Sequence, residues 1–109
     1  MTYKEIATMV SSIGLPYAYR QFPDGTEQAP PFICFFMSNT DDQYADNSNY
    51  QKIETLNVEL YTKDKDFAKE SAVETVLNQN GLTFYKEENY IESEKMYQIA
   101  YESEVIING

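Results

Sequence analysis

Phe32-Ile33-Cys34-Phe35-Phe36-Met37 is an apolar run of strand length, and Tyr50 to Tyr61 is a second extended run. In the second, Leu56, Val58 and Leu60 share one face, while Thr55, Asn57, Glu59 and Tyr61 share the other. The pair reads as two strands of one sheet. The first run is apolar at every position, which predicts cover on both of its faces: helices on one, another subunit on the other. Between the runs lies Ser38-Asn39-Thr40-Asp41-Asp42-Gln43-Tyr44-Ala45-Asp46-Asn47-Ser48-Asn49. A hairpin turns in about two to five residues, so an interval this long in a small domain is usually functional or disordered. It holds no Gly, Pro, His or Cys. It has little to do chemistry with and much to offer a partner surface.

Upstream, Thr2 and Glu5 have the spacing of a capping box, and Tyr3, Ile6, Met9, Val10 and Ile13 recur at helical spacing. Gly14 supplies a left-handed C-terminal cap, and Pro16 forbids continuation. Tyr17-Ala18-Tyr19-Arg20-Gln21-Phe22 reads as a short strand, Pro23-Asp24-Gly25-Thr26 as a turn, and Gln28-Ala29-Pro30-Pro31 as an extended lead into the second strand. Downstream, the third strand spans roughly residues 51–62. Asp64 is the candidate N-cap of a second helix whose apolar positions are Ala68, Ala72, Val73, Val76 and Leu77. Asn80-Gly81 ends it. Residues 82–87 and 95–107 read as the fourth and fifth strands, joined by the acidic stretch Glu87-Glu88-Asn89-Tyr90-Ile91-Glu92-Ser93-Glu94. In the fifth, Tyr97, Ile99, Tyr101, Val105 and Ile107 share a face opposite Gln98, Glu102 and Glu104. The order α-β-β-β-α-β-β predicts a single α+β domain over residues 1–109. Its mainly antiparallel sheet of about five strands carries both helices on one face.

Composition narrows the function. Eighteen acidic against eight basic residues give a net charge of −10. Such a surface repels nucleic-acid phosphate, and the cations are scattered singly rather than gathered in a patch. There is no apolar run long enough for a transmembrane helix, and the first residues lack the pattern of a signal peptide. One cysteine, Cys34, cannot make an internal disulfide, which suits a reducing compartment; mid-strand, it reads as a small buried hydrophobe. With no His, no Gly-rich phosphate loop and no Cys cluster, the chain offers no catalytic site and implies no cofactor. Asp41, Asp42 and Asp46 lack the spacing of a calcium loop, so they read as solvated rather than metal-binding. Glu87, Glu88, Glu92 and Glu94 read as a solvated acidic turn rather than an acid/base pair.

The aromatics point toward contacts. Ten Tyr and six Phe make 15% of the chain. Tyr44, Tyr50, Tyr85 and Tyr90 fall in or beside polar stretches, where a large stiff ring with a polar tip serves either an interface or ordinary edge packing. The partner-contact residues expected from the sequence are Asp41, Asp42, Tyr44, Asp46, Asn47, Tyr50 and Tyr90.

Leu15-Pro16-Tyr17-Ala18-Tyr19-Arg20-Gln21-Phe22-Pro23, Ala29-Pro30-Pro31-Phe32-Ile33-Cys34-Phe35, Tyr44-Ala45-Asp46-Asn47-Ser48-Asn49-Tyr50 and Ile91-Glu92-Ser93-Glu94-Lys95-Met96-Tyr97 resemble small proteins of phage and prophage head–tail modules in Gram-positive bacteria. With the element order, the chain is similar to the tail terminator (tail-to-head joining) proteins of long-tailed phages. That resemblance implies a non-enzymatic virion protein, assembled in the host cytoplasm and located at the tail–head interface. It implies a self-assembled, typically hexameric ring that caps the major tail tube protein and meets the head connector or stopper, with DNA passing through its lumen unbound. In that fold the loop between the second and third strands, here residues 38–49, orders on meeting neighbours. Two other readings stand beside it: an acidic DNA-mimic inhibitor, which needs carboxylates spaced like phosphates on one continuous face, and a different connector or stopper component.

Overall fold

The computed structural model describes residues 1–23, 25, 28–39 and 52–108. The chain runs α1 (Tyr3–Ser11), β1 (Tyr17–Tyr19), β2 (Phe32–Asn39), β3 (Lys52–Thr62), α2 (Phe67–Gln79), β4 (Tyr85–Ile91) and β5 (Met96–Ile107). This is the α+β order read from the sequence. The strands form one sheet in the order β1-β2-β3-β5-β4. All neighbours pair antiparallel except β1 and β2, which run parallel with Ala18 opposite Cys34.

One face of the sheet holds the core. Ile33 and Phe35 of β2, Leu56, Val58 and Leu60 of β3, and Ile99, Tyr101, Val105 and Ile107 of β5 pack against Ile6, Met9 and Val10 of α1 and Val73 and Leu77 of α2. The alternation of β3 and β5 puts these side chains on a common side, and both helices cover it. The Thr2 hydroxyl accepts from the Glu5 amide at 3.1 Å and the Glu5 carboxylate accepts from the Thr2 amide at 2.8 Å, so the capping box forms as read. Gly14 takes φ +91 just past α1, where a side chain would be strained. The ends of the chain meet: the terminal ammonium donates to the Ile106 carbonyl at 2.7 Å and the Asn108 amide donates to the Met1 carbonyl at 3.0 Å.

Several boundaries differ from the sequence reading. The second helix is capped by Asp66, not Asp64; its carboxylate accepts from the Lys69 amide at 3.1 Å. The chain spends residues 63–66 turning from β3 onto the helix layer, so the earlier aspartate falls in the connection. The buried stripe of α2 is Glu70, Val73 and Leu77, while Ala68 and Ala72 are exposed. A buried glutamate breaks the apolar pattern, which displaced the predicted face. The fourth strand is Tyr85–Ile91 rather than 82–87, and the acidic stretch read as a connection is mostly strand. It pairs along its whole length with β5, and that ladder supplies the order that its polar sequence does not advertise. The turn is confined to residues 92–95 and uses Lys95 at φ +52. Leu82 and Phe84, counted as strand, pack at the edge of the core. The first strand stops at Tyr19, where Arg20 turns at φ +65. A parallel pair cannot be closed by a tight hairpin, so the chain must return between Tyr19 and Phe32. Of the long interval, Ser38 and Asn39 belong to β2.

Candidate assembly surface

Among the described residues, the second face of the sheet carries no helix. Register places Phe32, Cys34 and Phe36 of β2, Glu59 and Tyr61 of β3, Gln98, Ala100 and Glu102 of β5, and Tyr85, Glu87 and Asn89 of β4 on this side. The crossing segment after β1 shields part of it. Arg20 lies 4.7 Å over the Phe36 ring, and Phe22 meets Phe32 edge-on at 5.4 Å. Phe32 in turn stacks on Tyr61 at 4.8 Å. Phe22, Phe32 and Tyr61, with Cys34, Pro30, Ile91 and Met96, line an open depression of about 660 Å³ whose walls include Arg20 and Glu94.

A polar seam crosses the same face. Gln98 Nε2 donates to the Tyr61 hydroxyl at 2.9 Å, that hydroxyl donates to Glu59 Oε1 at 2.9 Å, and Asn89 Nδ2 donates to Gln98 Oε1 at 3.3 Å. Burial pushes the Tyr61 hydroxyl up to about 12; the Gln98 bond opposes this and the Glu59 carboxylate adds to it. Burial, with Glu59 nearby, also raises the Cys34 thiol. At 5% exposed and protonated at neutral pH, Cys34 is the small hydrophobe read from the sequence.

Beneath β4 on the helix side lies an ion cluster. Glu70, 3% exposed, receives Lys65 Nζ at 2.6 Å and Lys86 Nζ at 2.8 Å. Lys86 also meets Glu74 at 2.7 Å, and the Tyr101 hydroxyl donates to Glu74 at 2.8 Å. Lys65 reaches Glu88 on β4 and sits 4.7 Å over the Phe67 ring. Burial pushes the Glu70 carboxyl up, but Lys65 and Lys86 outweigh it and hold the carboxyl below its ordinary value. This is the opposite of what a general acid requires.

No residue of β1 or β4 belongs to the apolar core: α2 meets β4 through the Glu70 ion cluster, and α1 meets β1 beside Tyr3 and Tyr19. Exposed large hydrophobic residues gather at these two margins of the sheet. Tyr17 and Tyr19 stand on β1, and Tyr3 of α1 shares with Tyr19 a depression of about 530 Å³. At the far margin Tyr85, 83% exposed, and Tyr90, 49% exposed, stand on β4, with Phe67, 71% exposed, linked to that strand through Lys65. Among the described residues only Ile106 is a comparable exposed hydrophobe elsewhere.

No protein-family model and no curated protein matches the sequence. A solved structure does. The chain is similar to one in the structure "Virion of native gene transfer agent (GTA) particle", with a TM-score of 0.58 and 15% sequence identity over 98% of this chain and 89% of that one. At that identity the likeness is one of fold.

Of the residues expected at a partner contact, Tyr90 sits on the β4 margin and meets Tyr97 at 5.0 Å. Asp41, Asp42, Tyr44, Asp46, Asn47 and Tyr50 lie outside the described residues. Tyr85, read as interface or edge packing, is the more exposed margin residue. Tyr3, Tyr17, Tyr19 and Phe67 lie outside the partner-contact set expected from the sequence. Alternation makes Tyr17 and Tyr19 look like core residues, and only the strand order reveals that β1 is an edge.

Proposed function

We propose that this chain is a non-enzymatic structural subunit of a phage-like virion, acting as a tail terminator. In this reading it forms an oligomeric, typically hexameric ring on the finished tail tube, halts its growth and presents the surface that meets the head connector. The observation that carries the reading is the fold likeness, across nearly the whole chain, to a protein of a gene transfer agent virion. The sequence resemblance to tail terminators and the exposed aromatics at the two margins support it, since margins of this kind suit docking to neighbours. Six copies would bring about −60 of charge to the ring, and acids turned inward would give DNA a wall without affinity for it. The DNA-mimic reading is less favoured, because Phe32, Phe36 and Tyr61 interrupt the acids of the helix-free face.

Electron microscopy of particles made without this gene tests the proposal. Overlong tails, or tails without heads, are the expected result. Normal virions would overturn it. Tails of correct length that merely fail to join heads would point to a connector or stopper part instead.

A further inference from the structure

We propose that copies of this chain join head to tail, the β1 margin of one docking on the β4 margin of the next. The inference rests on the assembly reading above and adds the contact itself. Three observations converge. Both margins are sheet edges, and an edge strand leaves backbone donors and acceptors on its outer side. Each margin carries three exposed aromatics, although the rest of the described surface carries almost none. The margins also differ in charge. On the β4 margin Glu88 is paired with Lys65, and Lys86 with Glu70 and Glu74, which leaves Glu87 on the strand and Glu92 and Glu94 in the turn beside Lys95 as the acids in excess. The described charges beside β1 are Arg20 and the Lys52–Glu54 pair, closed on itself at 3.3 Å.

That asymmetry selects the occupant. Two β4 margins facing each other would set glutamates against glutamates, an unfavourable cross-strand arrangement. Two β1 margins would offer only three residues of strand each. A β1 margin docked edge to edge on a β4 margin sets Tyr17 and Tyr19 toward Tyr90 on the helix side, and Arg20 toward Glu87 on the other. Because the two patches lie on opposite sides of one sheet, each copy keeps a free margin after its first contact. Such a heterologous contact closes into a ring or extends as a filament; it does not stop at a dimer.

Cross-linking tests the contact. Tyr17→Cys and Asn89→Cys are prepared separately, both at exposed positions; native Cys34 is buried and stays silent. Samples in which sedimentation shows oligomers are treated with a short bismaleimide. The expected result is a cross-link in the mixture and none in either variant alone. In parallel, Glu87→Lys, with an unchanged melting temperature, should weaken association about tenfold by placing like charges together. An Asn89–Asn89 cross-link, or an oligomer that gives no cross-link in the mixture, overturns the margin contact and leaves the assembly reading standing. A subunit that stays monomeric at every concentration and salt level, and with tail tubes added, overturns both.

Discussion

Glu70 shows how one side chain ties three elements together. Its carboxylate lies under β4, held by Lys65 from the β3–α2 connection and Lys86 from β4, while Glu74 and Tyr101 extend the cluster to β5. Glu70→Gln keeps the shape and removes the charge, leaving two ammonium groups short of a partner. A fully buried pair broken in this way costs several kcal/mol. Both lysines reach solvent here, so the expected loss is about 1–3 kcal/mol in a denaturant titration. The pH dependence follows from the same contacts. The folded carboxyl lies below its ordinary value of 4.5, so its contribution is complete above that pH and disappears as pH falls through the folded value. Lys65 and Lys86 are raised above 10.5, by hydrogen bonds to Glu70 first and then to Glu88 or Glu74. Their contribution is complete below 10.5 and is lost as pH climbs through the raised values. Tyr61, raised to about 12, adds to that alkaline loss. Stability of the native chain measured against pH should therefore drop at both ends, and Glu70→Gln should flatten the acid limb.

At the level of elements, the two aspartates before α2 give a sharp comparison. Asp66→Ala removes the oxygen that satisfies the Lys69 amide and an ion contact to Lys69 Nζ at 3.1 Å. It should cost about 1 kcal/mol, whereas Asp64→Ala should stay within about 0.5 kcal/mol in the same urea titration. Equal effects would place the cap elsewhere. The comparison also marks what local sequence can carry. The N-terminal cap of α1, its buried stripe and the alternation of β3 and β5 were legible because hydroxyl, carboxylate and apolar spacing are local signals. The Asp66 cap, the β4 boundaries and the burial of Glu70 were not. Each depends on a partner distant in sequence: the path from β3 to the helix layer, the ladder with β5, and the lysines at 65 and 86. Parallel pairing of β1 was hidden for the same reason. Its three residues read as an ordinary alternating strand, and nothing local says that the chain crosses back before pairing.

For the molecule as a whole, the candidate surface was less legible than the fold. The sequence marked polar, tyrosine-bearing stretches, and of the seven residues it proposed only Tyr90 falls among those the structure describes. The margins emerge only when strand order is known, because exposure at a sheet edge is a property of the layer and not of the strand. The same layer view sets the salt response of assembly. Each copy carries −10, so closing a ring brings like charges together, while the proposed margin contact supplies few opposite pairs to offset them. The Debye length falls from about 10 Å at 0.1 M salt to about 3 Å at 1 M, which screens the long-range repulsion between copies. Aromatic contacts at the margins are not weakened by the same change. The purified chain should therefore associate weakly in dilute low-salt buffer, and its sedimentation coefficient should rise as sodium chloride is added at constant protein concentration. A coefficient that falls with salt would mean that charge attraction dominates the contact, and the apolar margins would then no longer account for assembly.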